Sequence, residues 1–188
     1  MFFSGDARLR RPGDERRNMT QEITLAANDS GRHWTDDVGR WNALCSSEGC
    51  IVCRDEGLPA GMHDLAETPA VKAISMECVP LPGYVCVTSK KHAVEPFDLE
   101  VEDQRLFWTD AMLVAKGVAD AIGPIKMNYE IHGNTIPHLH MHLFPRTAGD
   151  VYVGYVIHQR VQFEHSPQDL ENLKAGIVAR LREAGRLT

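Results

Sequence analysis

The sequence predicts an α+β domain built on an antiparallel sheet of about five strands, with two main helices. Three observations support this prediction. Strand-like segments with apolar alternation outnumber long helical ones, and short turns rich in glycine and proline join neighbouring segments. A third is that a helical period is sustained in only two long stretches, one in the middle of the chain and one near its C-terminal end.

The composition argues against several broad classes of protein. The chain has 188 residues and a net charge of −6, whereas general nucleic-acid binders are usually basic. No apolar run approaches the roughly 20 residues that span a bilayer, and no apolar segment typical of a secretory signal opens the chain. We therefore expect a cytoplasmic protein that binds neither nucleic acid nor membranes. Its five cysteines should be metal ligands or buried thiols rather than disulfides, with Cys78 and Cys86 buried as small apolar residues.

The first 31 residues differ in character from the rest of the chain. Five arginines lie there among glycine, proline and acidic residues, without an apolar period: Arg8, Arg10, Arg11, Arg16 and Arg17. Low hydrophobicity of this kind is typical of disorder. We predict a flexible N-terminal tail over residues 1–31 and a single domain over residues 32–188.

The first elements of the domain are short. Residues 34–44 predict a brief helix, and residues 45–53 form a turn-rich segment that contains three of the cysteines. Residues 70–78 and 84–89 alternate between apolar and polar side chains and predict two strands. The proline- and glycine-containing turn at 80–83 joins them as a hairpin-like pair.

Two amphipathic helices and a further strand follow. Residues 99–122 predict a helix whose buried stripe is spaced by four and three residues, namely Phe107, Ala111, Val114, Val118 and Ala121. Residues 125–132 alternate again and predict a strand. The last helix begins after Ser166, a good N-terminal cap followed by proline, and ends at Gly185. Its predicted buried stripe consists of Leu170, Leu173, Ile177 and Leu181.

Three histidines alternate with apolar residues in the segment "HLHMHL", residues 138–143. In a strand, His138, His140 and His142 share one face at intervals of about 7 Å, while the apolar residues point towards a core. The three imidazoles therefore span about 14 Å, too far for one metal ion with bonds near 2 Å, although two of them could share an ion. Imidazole can be a base, a nucleophile or a metal ligand, and a division of these roles along the strand is the simplest interpretation.

The segment "HLHMHLF" (138–144) resembles the signature of the histidine-triad family, in which three histidines alternate with apolar residues. The flanking residues 133–137 and 145–146 are also similar to that family. So is "PLPGYVCVTSKKH" (80–92), which is similar to the family's Pro-Gly-His turn, apolar strand and Lys-Lys-His stretch. The resemblance covers roughly residues 48–148.

The resemblance implies a fold, a chemistry and roles for five residues. Enzymes of the family act at the α-phosphorus of nucleotides through a nucleotidyl-histidine intermediate, which makes His140 the implied nucleophile. His142 is then expected to hydrogen-bond the phosphate. Asn128 matches an amide that the family uses near the phosphate and the nucleophile. Thr135 matches a hydroxyl or backbone position near the leaving group, and Asn134 lies beside it. A neutral imidazole suits this chemistry because a covalent intermediate divides one difficult displacement into two.

The pair Cys50-x-x-Cys53 alone is compatible with a zinc knuckle or with a redox pair. In several bacterial members of the family, and in the related galactose-1-phosphate uridylyltransferase, such a pair binds zinc. The remaining ligands there match His92 and His138 in this chain. The resemblance thus implies a closed, structural zinc site, in which Cys45 could replace one ligand.

Two positions depart from the family pattern. The family usually has histidine where this chain has Tyr84, and an acid or amide for the ribose hydroxyls where this chain has Met76. Glu77 would restore a carboxylate only through a one-residue shift, which would swap the faces of the sheet. Either the register differs, or the ribose is held in another way, or the substrate is not a standard nucleotide. The sequence therefore supports the phosphate chemistry better than it supports a nucleoside in the substrate.

Three functions follow from these residues. The first is a hydrolase or transferase that cleaves a phosphoanhydride or phosphoramidate bond of a nucleotide, such as a dinucleoside polyphosphate, or a related phosphate ester. The alternative is a non-catalytic, zinc-stabilised nucleotide-binding module. A metal-dependent hydrolase with zinc on the triad is disfavoured by the strand geometry. The resemblance also implies a homodimer, and the helix at 99–122 with its neighbouring strand could supply the contact. Residues 147–160 could form a lid, a dimer contact or a surface loop.

Overall fold

A computed structural model describes residues 37–54, 56–152, 154–157 and 163–187. The predicted tail at 1–31 lies outside these residues. The helices are α1 (Val38–Leu44), α2 (Val101–Ile122) and α3 (Pro167–Glu183), with a 3-10 helix at Pro96–Asp98, and the strands are β1 (Met62–Glu67), β2 (Val71–Met76), β3 (Cys78–Val79), β4 (Val85–Ser89), β5 (Lys126–Glu130), β6 (His140–Arg146) and β7 (Phe163–Glu164). Within the described ranges, no helix is both long and apolar enough to cross a membrane.

Five strands form the main sheet in the order β1-β2-β4-β6-β5, and every neighbouring pair is antiparallel. The short strands β3 and β7 pair separately as a two-stranded ribbon. Helices α2 and α3 pack against each other and against one face of the main sheet. The predicted fold class, an α+β domain with a five-stranded antiparallel sheet and two main helices, is confirmed.

The core lies between this sheet face and the two helices. Leu139, Met141 and Leu143 are buried in it, so the apolar residues that alternate with the histidines point inwards as the alternation predicts. The opposite face carries His140 and His142 and is called the histidine face below. Across the sheet, His140 pairs with Thr88, and His142 lies between Cys86 and Glu130.

The two long helices follow their sequence signals closely. Ser166 caps α3 and forms a capping box with Asp169, and Gly185 lies just past the helix end with φ of 63°. The whole predicted stripe of α3 is buried. In α2 the predicted stripe is buried as far as Val118, whereas Ala121 is exposed in the last turn of the helix.

A buried carboxylate connects α2 to the C-terminal residues. Asp110 is fully buried, and both of its oxygens accept hydrogen bonds from Arg186, at 2.7 and 2.9 Å. The Thr68 hydroxyl donates a third hydrogen bond to Asp110 at 2.6 Å. Because a buried carboxylate needs such partners, Arg186 fixes the chain end against the helix.

The strands differ from the predictions in three places. Strand β1 was not predicted, and a register shift between Asp64 and Ala66 interrupts its alternation. The predicted strand at 70–78 is divided at Glu77 into β2 and β3, and Cys78 is exposed rather than buried. The triad strand begins at His140, because the His138 N–H donates to the Ile136 carbonyl in a turn instead of to the sheet.

Candidate functional site

Four side chains from three parts of the chain form a compact Cys₂His₂ group: Cys50, Cys53, His92 and His138. Their ligand atoms all lie within 4.8 Å of one another. Cys50 Sγ is 3.3 Å from Nδ1 of His138, and Cys53 Sγ is 3.3 Å from Nδ1 of His92. The predicted ligands are therefore brought together, and the group could hold a metal ion.

The second nitrogen of each histidine in this group is already engaged. His92 Nε2 lies 2.8 Å from the Cys45 carbonyl oxygen, and His138 Nε2 lies 2.7 Å from that of Ser89. A carbonyl only accepts, so each Nε2 carries the proton and each Nδ1 presents a lone pair to the cysteines. Such an outer hydrogen bond orients histidines that bind metals. Cys45 contributes its carbonyl oxygen here, and its thiol lies outside the group.

His140 is the first residue of β6 and is half-buried on the histidine face. Its Nδ1 lies 2.6 Å from the carbonyl oxygen of His138, so Nδ1–H donates and Nε2 keeps the lone pair. Burial lowers the pKa of His140, although this hydrogen bond favours the charged form. The imidazole is thus held in the tautomer that a nucleophile needs.

His142 is more deeply buried, and its ring lies 4.9 Å from that of His140 between centroids. Burial, reinforced by the imidazoles of His140 and His132, lowers the pKa of His142 to about 3. Its Nδ1 is 2.7 Å from the hydroxyl of Tyr84, the residue that stands where the family usually has histidine. Burial raises the pKa of Tyr84 well above its ordinary value, so the hydroxyl keeps its proton.

One end of the histidine face is covered by apolar side chains. The cluster there comprises Val79, Leu81, Tyr84, Cys86, Phe144, Tyr152 and Ile157, with Ile74, Met76 and Phe163 packed against it. Met76, which stands at the expected ribose position, is therefore packed among apolar groups. The Glu77 carboxylate lies 3.3 Å from Nε2 of His63 instead of on this face. The two departures noted in the sequence, Tyr84 and Met76, thus lie together at this apolar end of the histidine face.

The segment that follows β6 supplies part of this cover. Arg146 forms two hydrogen bonds of 2.8 Å with the Asp150 carboxylate and one of 2.6 Å with the carbonyl of Tyr152. These contacts fold the chain back so that Tyr152 and Ile157 are buried in the cluster. The described part of the 147–160 segment is therefore anchored to the domain by Tyr152 and Ile157, while Val151, Tyr155 and Val156 remain exposed on the surface.

The other end of the histidine face opens into a cavity of about 370 Å³. Trp41 of α1, Val94 and Glu95 form part of its wall, residues 131–134 form another part, and His138 to His140 also line it. A volume of this size suits a small organic ligand. A ligand bound in this cavity would lie next to His140.

The structure gathers some of the predicted binding residues here and leaves others outside. Asn134 lines the cavity together with His140. Thr135 is exposed in the same turn and does not line the cavity. Asn128 lies on β5, where it pairs with Phe144 of β6, farther from the cavity than His142. Of the three predicted binding residues, Asn134 is the one beside the cavity.

Several residues at the cavity were not singled out from the sequence, and Trp41 and His132 are the two with side chains best suited to contact a ligand. Trp41 lies on α1, and no local signal connects that helix with the triad. His132 lines the cavity, and its Nε2 lies 2.8 Å from an oxygen of Glu130. The alternation of residues 125–132 places both Glu130 and His132 on the polar face, which is the signal that could have drawn attention to them.

The family profile described as HIT domain matches residues 63–149, a span that runs from the second residue of β1 to just past β6 and includes the whole triad. The chain contains a histidine-triad (HIT) domain. The sequence resemblance is thereby confirmed. The two cysteines of the Cys₂His₂ group precede the matched span, whereas His92 and His138 lie within it.

Curated relatives share this domain at low identity. "Protein hit" of Bacillus subtilis is 24% identical over 140 residues, which cover 72% of this chain and 96% of that protein. The bis(5′-adenosyl)-triphosphatase of Dictyostelium discoideum is 25% identical over 99 residues, 50% of this chain and 66% of that enzyme. The chain thus matches slightly less than two thirds of the triphosphatase.

Solved structures show the same fold. A histidine triad protein from Bradyrhizobium japonicum superposes with a TM-score of 0.57 at 21% identity, covering 64% of this chain and 90% of that one. A zinc-bound histidine triad family protein from Mycobacterium smegmatis gives a TM-score of 0.54 at 21% identity, covering 74% and 99% of the two chains. At such identities the similarity establishes the fold of the HIT domain.

Proposed function

We propose that the protein is a hydrolase or transferase that cleaves a phosphoanhydride or phosphoramidate bond at the α-phosphorus of a nucleotide. The observation that carries the proposal is the orientation of His140, whose Nδ1–H donates to the His138 carbonyl and whose Nε2 lone pair is left for attack. The nearby cavity provides space for the substrate. The family membership and the triphosphatase relative support the same reaction class.

In the first step, Nε2 of His140 bonds to the α-phosphorus, and the bond from phosphorus to the leaving group breaks. The leaving group departs with the electron pair of that bond. In the second step, water or another acceptor bonds to phosphorus and the bond to Nε2 breaks, which restores the free imidazole. Dividing the displacement in this way is what nucleophilic catalysis provides.

His142 and Asn134 are proposed to hold the phosphate. Donation from the Tyr84 hydroxyl to Nδ1 of His142 would place the His142 proton on Nε2, where it can hydrogen-bond an oxygen of the phosphate. The Asn134 amide can donate to the leaving-group side, since it lines the cavity. We propose Asn128 and Thr135 as outer contacts of the same substrate.

We propose that the Cys₂His₂ group binds a structural zinc ion. For zinc bonds of about 2.3 Å to sulfur and 2.1 Å to nitrogen, a tetrahedral site places unlike ligand atoms about 3.6 Å apart. Three of the four sulfur–nitrogen distances are 3.3, 3.3 and 3.5 Å, close to that spacing. Four protein ligands make a closed site, so the ion would cross-link the turn that follows α1, the segment that follows β4 and the start of the triad segment.

We also propose a homodimer through α2 and the edge strand β5. Strand β5 lies at the edge of the sheet and has one unpaired side. Exposed apolar residues lie on α2 and around β5, namely Trp108, Met112, Ile125 and Tyr129. Sedimentation analysis would test this proposal, and a monomer at micromolar concentration would contradict it.

Mass spectrometry of the quenched reaction tests the proposed function. Diadenosine triphosphate and adenosine 5′-phosphoramidate are mixed with the protein, and peptides are searched for an adenylyl group on His140. We expect this adduct, and we expect His140→Ala to lower turnover by at least about 1,000-fold. Nucleotide binding without adduct or turnover would instead support the non-catalytic binding module. Adducts on another residue would contradict the assignment of His140.

A further inference from the structure

The Glu130–His132 pair lies beside the triad but belongs to neither the triad nor the Cys₂His₂ group. Glu130 is the last residue of β5 and pairs with His142 across the sheet. His132 follows two residues later, and its Nε2 lies 2.8 Å from Oε2 of Glu130. The Glu130 side chain is 20% exposed and that of His132 is 42% exposed, so the carboxylate is the more sheltered partner.

The imidazole of His132 lies close to the proposed reacting atoms. Its ring centroid is 5.5 Å from that of His142, whose ring in turn is 4.9 Å from His140. His132 also lines the cavity together with His140. A water molecule or substrate in this cavity would therefore meet His132 as well as the nucleophile.

The hydrogen bond to Glu130 fixes which nitrogen of His132 carries the proton. A carboxylate accepts, so Nε2–H donates to Glu130 and Nδ1 keeps a lone pair. An imidazole held in one tautomer by a carboxylate is the usual arrangement of a general base. His142 is less suited to that task, because its Nδ1 is already engaged by the Tyr84 hydroxyl.

We propose that His132 is the general base that activates the acceptor water in the second step, with Glu130 as its positioning residue. This inference rests on the proposed function. The water oxygen bonds to phosphorus as the bond from phosphorus to Nε2 of His140 breaks, and the electron pair of that bond returns to Nε2. One proton of the water moves to Nδ1 of His132 and is later released to solvent.

A second histidine–carboxylate pair offers a matched control. His63 and Glu77 lie 3.3 Å apart on the surface, and neither residue lines the cavity. His63→Ala therefore removes an imidazole of similar exposure without affecting the reacting atoms. Both alanine variants are expected to fold, since both histidines are partly exposed.

The experiment measures the two half-reactions separately, by rapid quenching and mass spectrometry of the His140 adduct formed from diadenosine triphosphate or adenosine 5′-phosphoramidate. In His132→Ala we expect the adduct to form at nearly the normal rate and to decay about 100-fold more slowly, so that it accumulates. His63→Ala should match the unchanged protein in both rates. A general base typically contributes about 100-fold or more to a rate. If the adduct in His132→Ala decays within about twofold of the normal rate, the inference is overturned.

Two further measurements separate a chemical role from a structural one. Added imidazole should accelerate adduct decay in His132→Ala and leave His63→Ala unaffected, because the cavity can admit the small base. Glu130→Gln should slow decay with little change in adduct formation. If His132→Ala slows formation and decay equally and imidazole restores neither, the pair is structural and the inference fails. If the unchanged protein forms no adduct at all, the proposed function itself fails.

Discussion

The main-chain carbonyl oxygen of His138 lies 2.6 Å from Nδ1 of His140, while the ring of His138 belongs to the Cys₂His₂ group. One residue therefore both closes the metal-ligand group and orients the imidazole beside the cavity. A displacement of the His138 main chain would rotate the proposed nucleophile or remove the acceptor of its Nδ1 proton. Metal binding and reactivity are therefore expected to depend on each other through this one residue.

Loss of the Cys₂His₂ group should destabilise the domain. Cys50→Ser should lose the bound zinc, expected at about one ion per chain in the unchanged protein, and should lower the melting temperature by at least about 5 °C. Elemental analysis and thermal unfolding measure both effects. Cys78→Ser is the matched control, because Cys78 is exposed and lies outside the group. Equal metal content in the two variants would contradict the assigned ligands.

Removal of the Tyr84 hydroxyl tests whether its hydrogen bond orients His142. Tyr84→Phe keeps the buried ring and removes only the hydrogen bond to Nδ1, so we expect turnover to fall about tenfold and stability by about 1 kcal/mol. Steady-state kinetics and urea unfolding provide the two values. Tyr155→Phe, at an exposed tyrosine that does not line the cavity, should change neither. Unaltered kinetics in Tyr84→Phe would show that the hydroxyl does not orient His142.

Protonation of His165 should destabilise the fold in mild acid. Its Nδ1–H donates to the Met76 carbonyl at 2.8 Å, and its Nε2 accepts from the Gly83 N–H at 2.9 Å. Burial lowers the pKa of His165, although the Met76 hydrogen bond and the nearby Asp169 carboxylate favour the charged form. A lowered pKa in the folded state means that the unfolded chain binds the proton first. The stabilisation by His165 is therefore complete above the unfolded pKa of about 6.5 and is lost as the pH falls below it.

Urea unfolding at a series of pH values measures this effect. His165→Gln can still accept from Gly83 but has no group that titrates in this range. We expect the variant to be less stable than the unchanged protein at pH 8 and to lose less stability between about pH 7 and pH 5, across the histidine range. Parallel stability curves for the two proteins would mean that His165 does not contribute to the pH dependence.

Truncation of Arg186 should destabilise the fold, because it removes the charged partner of the buried Asp110 carboxylate. Arg186→Ala leaves Asp110 with the Thr68 hydroxyl as its remaining side-chain partner, and removal of one member of a buried ion pair costs about 3 kcal/mol. Arg182→Ala, an exposed arginine in the last turn of α3, should cost much less. Chemical denaturation of both variants gives the comparison. Equal losses would indicate that the Asp110 contact does not stabilise the fold.

Local signals in the sequence were sufficient for the elements whose patterns are continuous. The cap at Ser166 and the regular stripe of α3 depend on neighbouring residues, so the helix could be placed almost to the residue. Strand β1 could not be recognised because the register shift after Asp64 interrupts its alternation. Ala121 was predicted to be buried from the helical period alone, but burial at a helix end depends on what packs there.

The part of the site that belongs to a recognisable sequence motif could be predicted, and the rest could not. The Cys₂His₂ residues were predicted from the resemblance, and the structure brings them together. The cavity was not predictable, because Trp41 and His132 meet the triad only through the packing of α1 and the end of β5. Tyr84 was recognised as a departure, yet its contact with His142 depends on the position of the buried Tyr84 ring beside β6, which the sequence does not reveal.

The apolar cover over Met76 and Phe144 has a kinetic consequence for the proposed reaction. With that side closed, departing and incoming groups share the volume between Trp41 and His140. In the proposed reaction the first product would have to leave this volume before an acceptor molecule could enter, so the two half-reactions would be consecutive. A bulky product that dissociates slowly would hold the protein in its covalent form, and turnover would then be limited by product release rather than by bond cleavage.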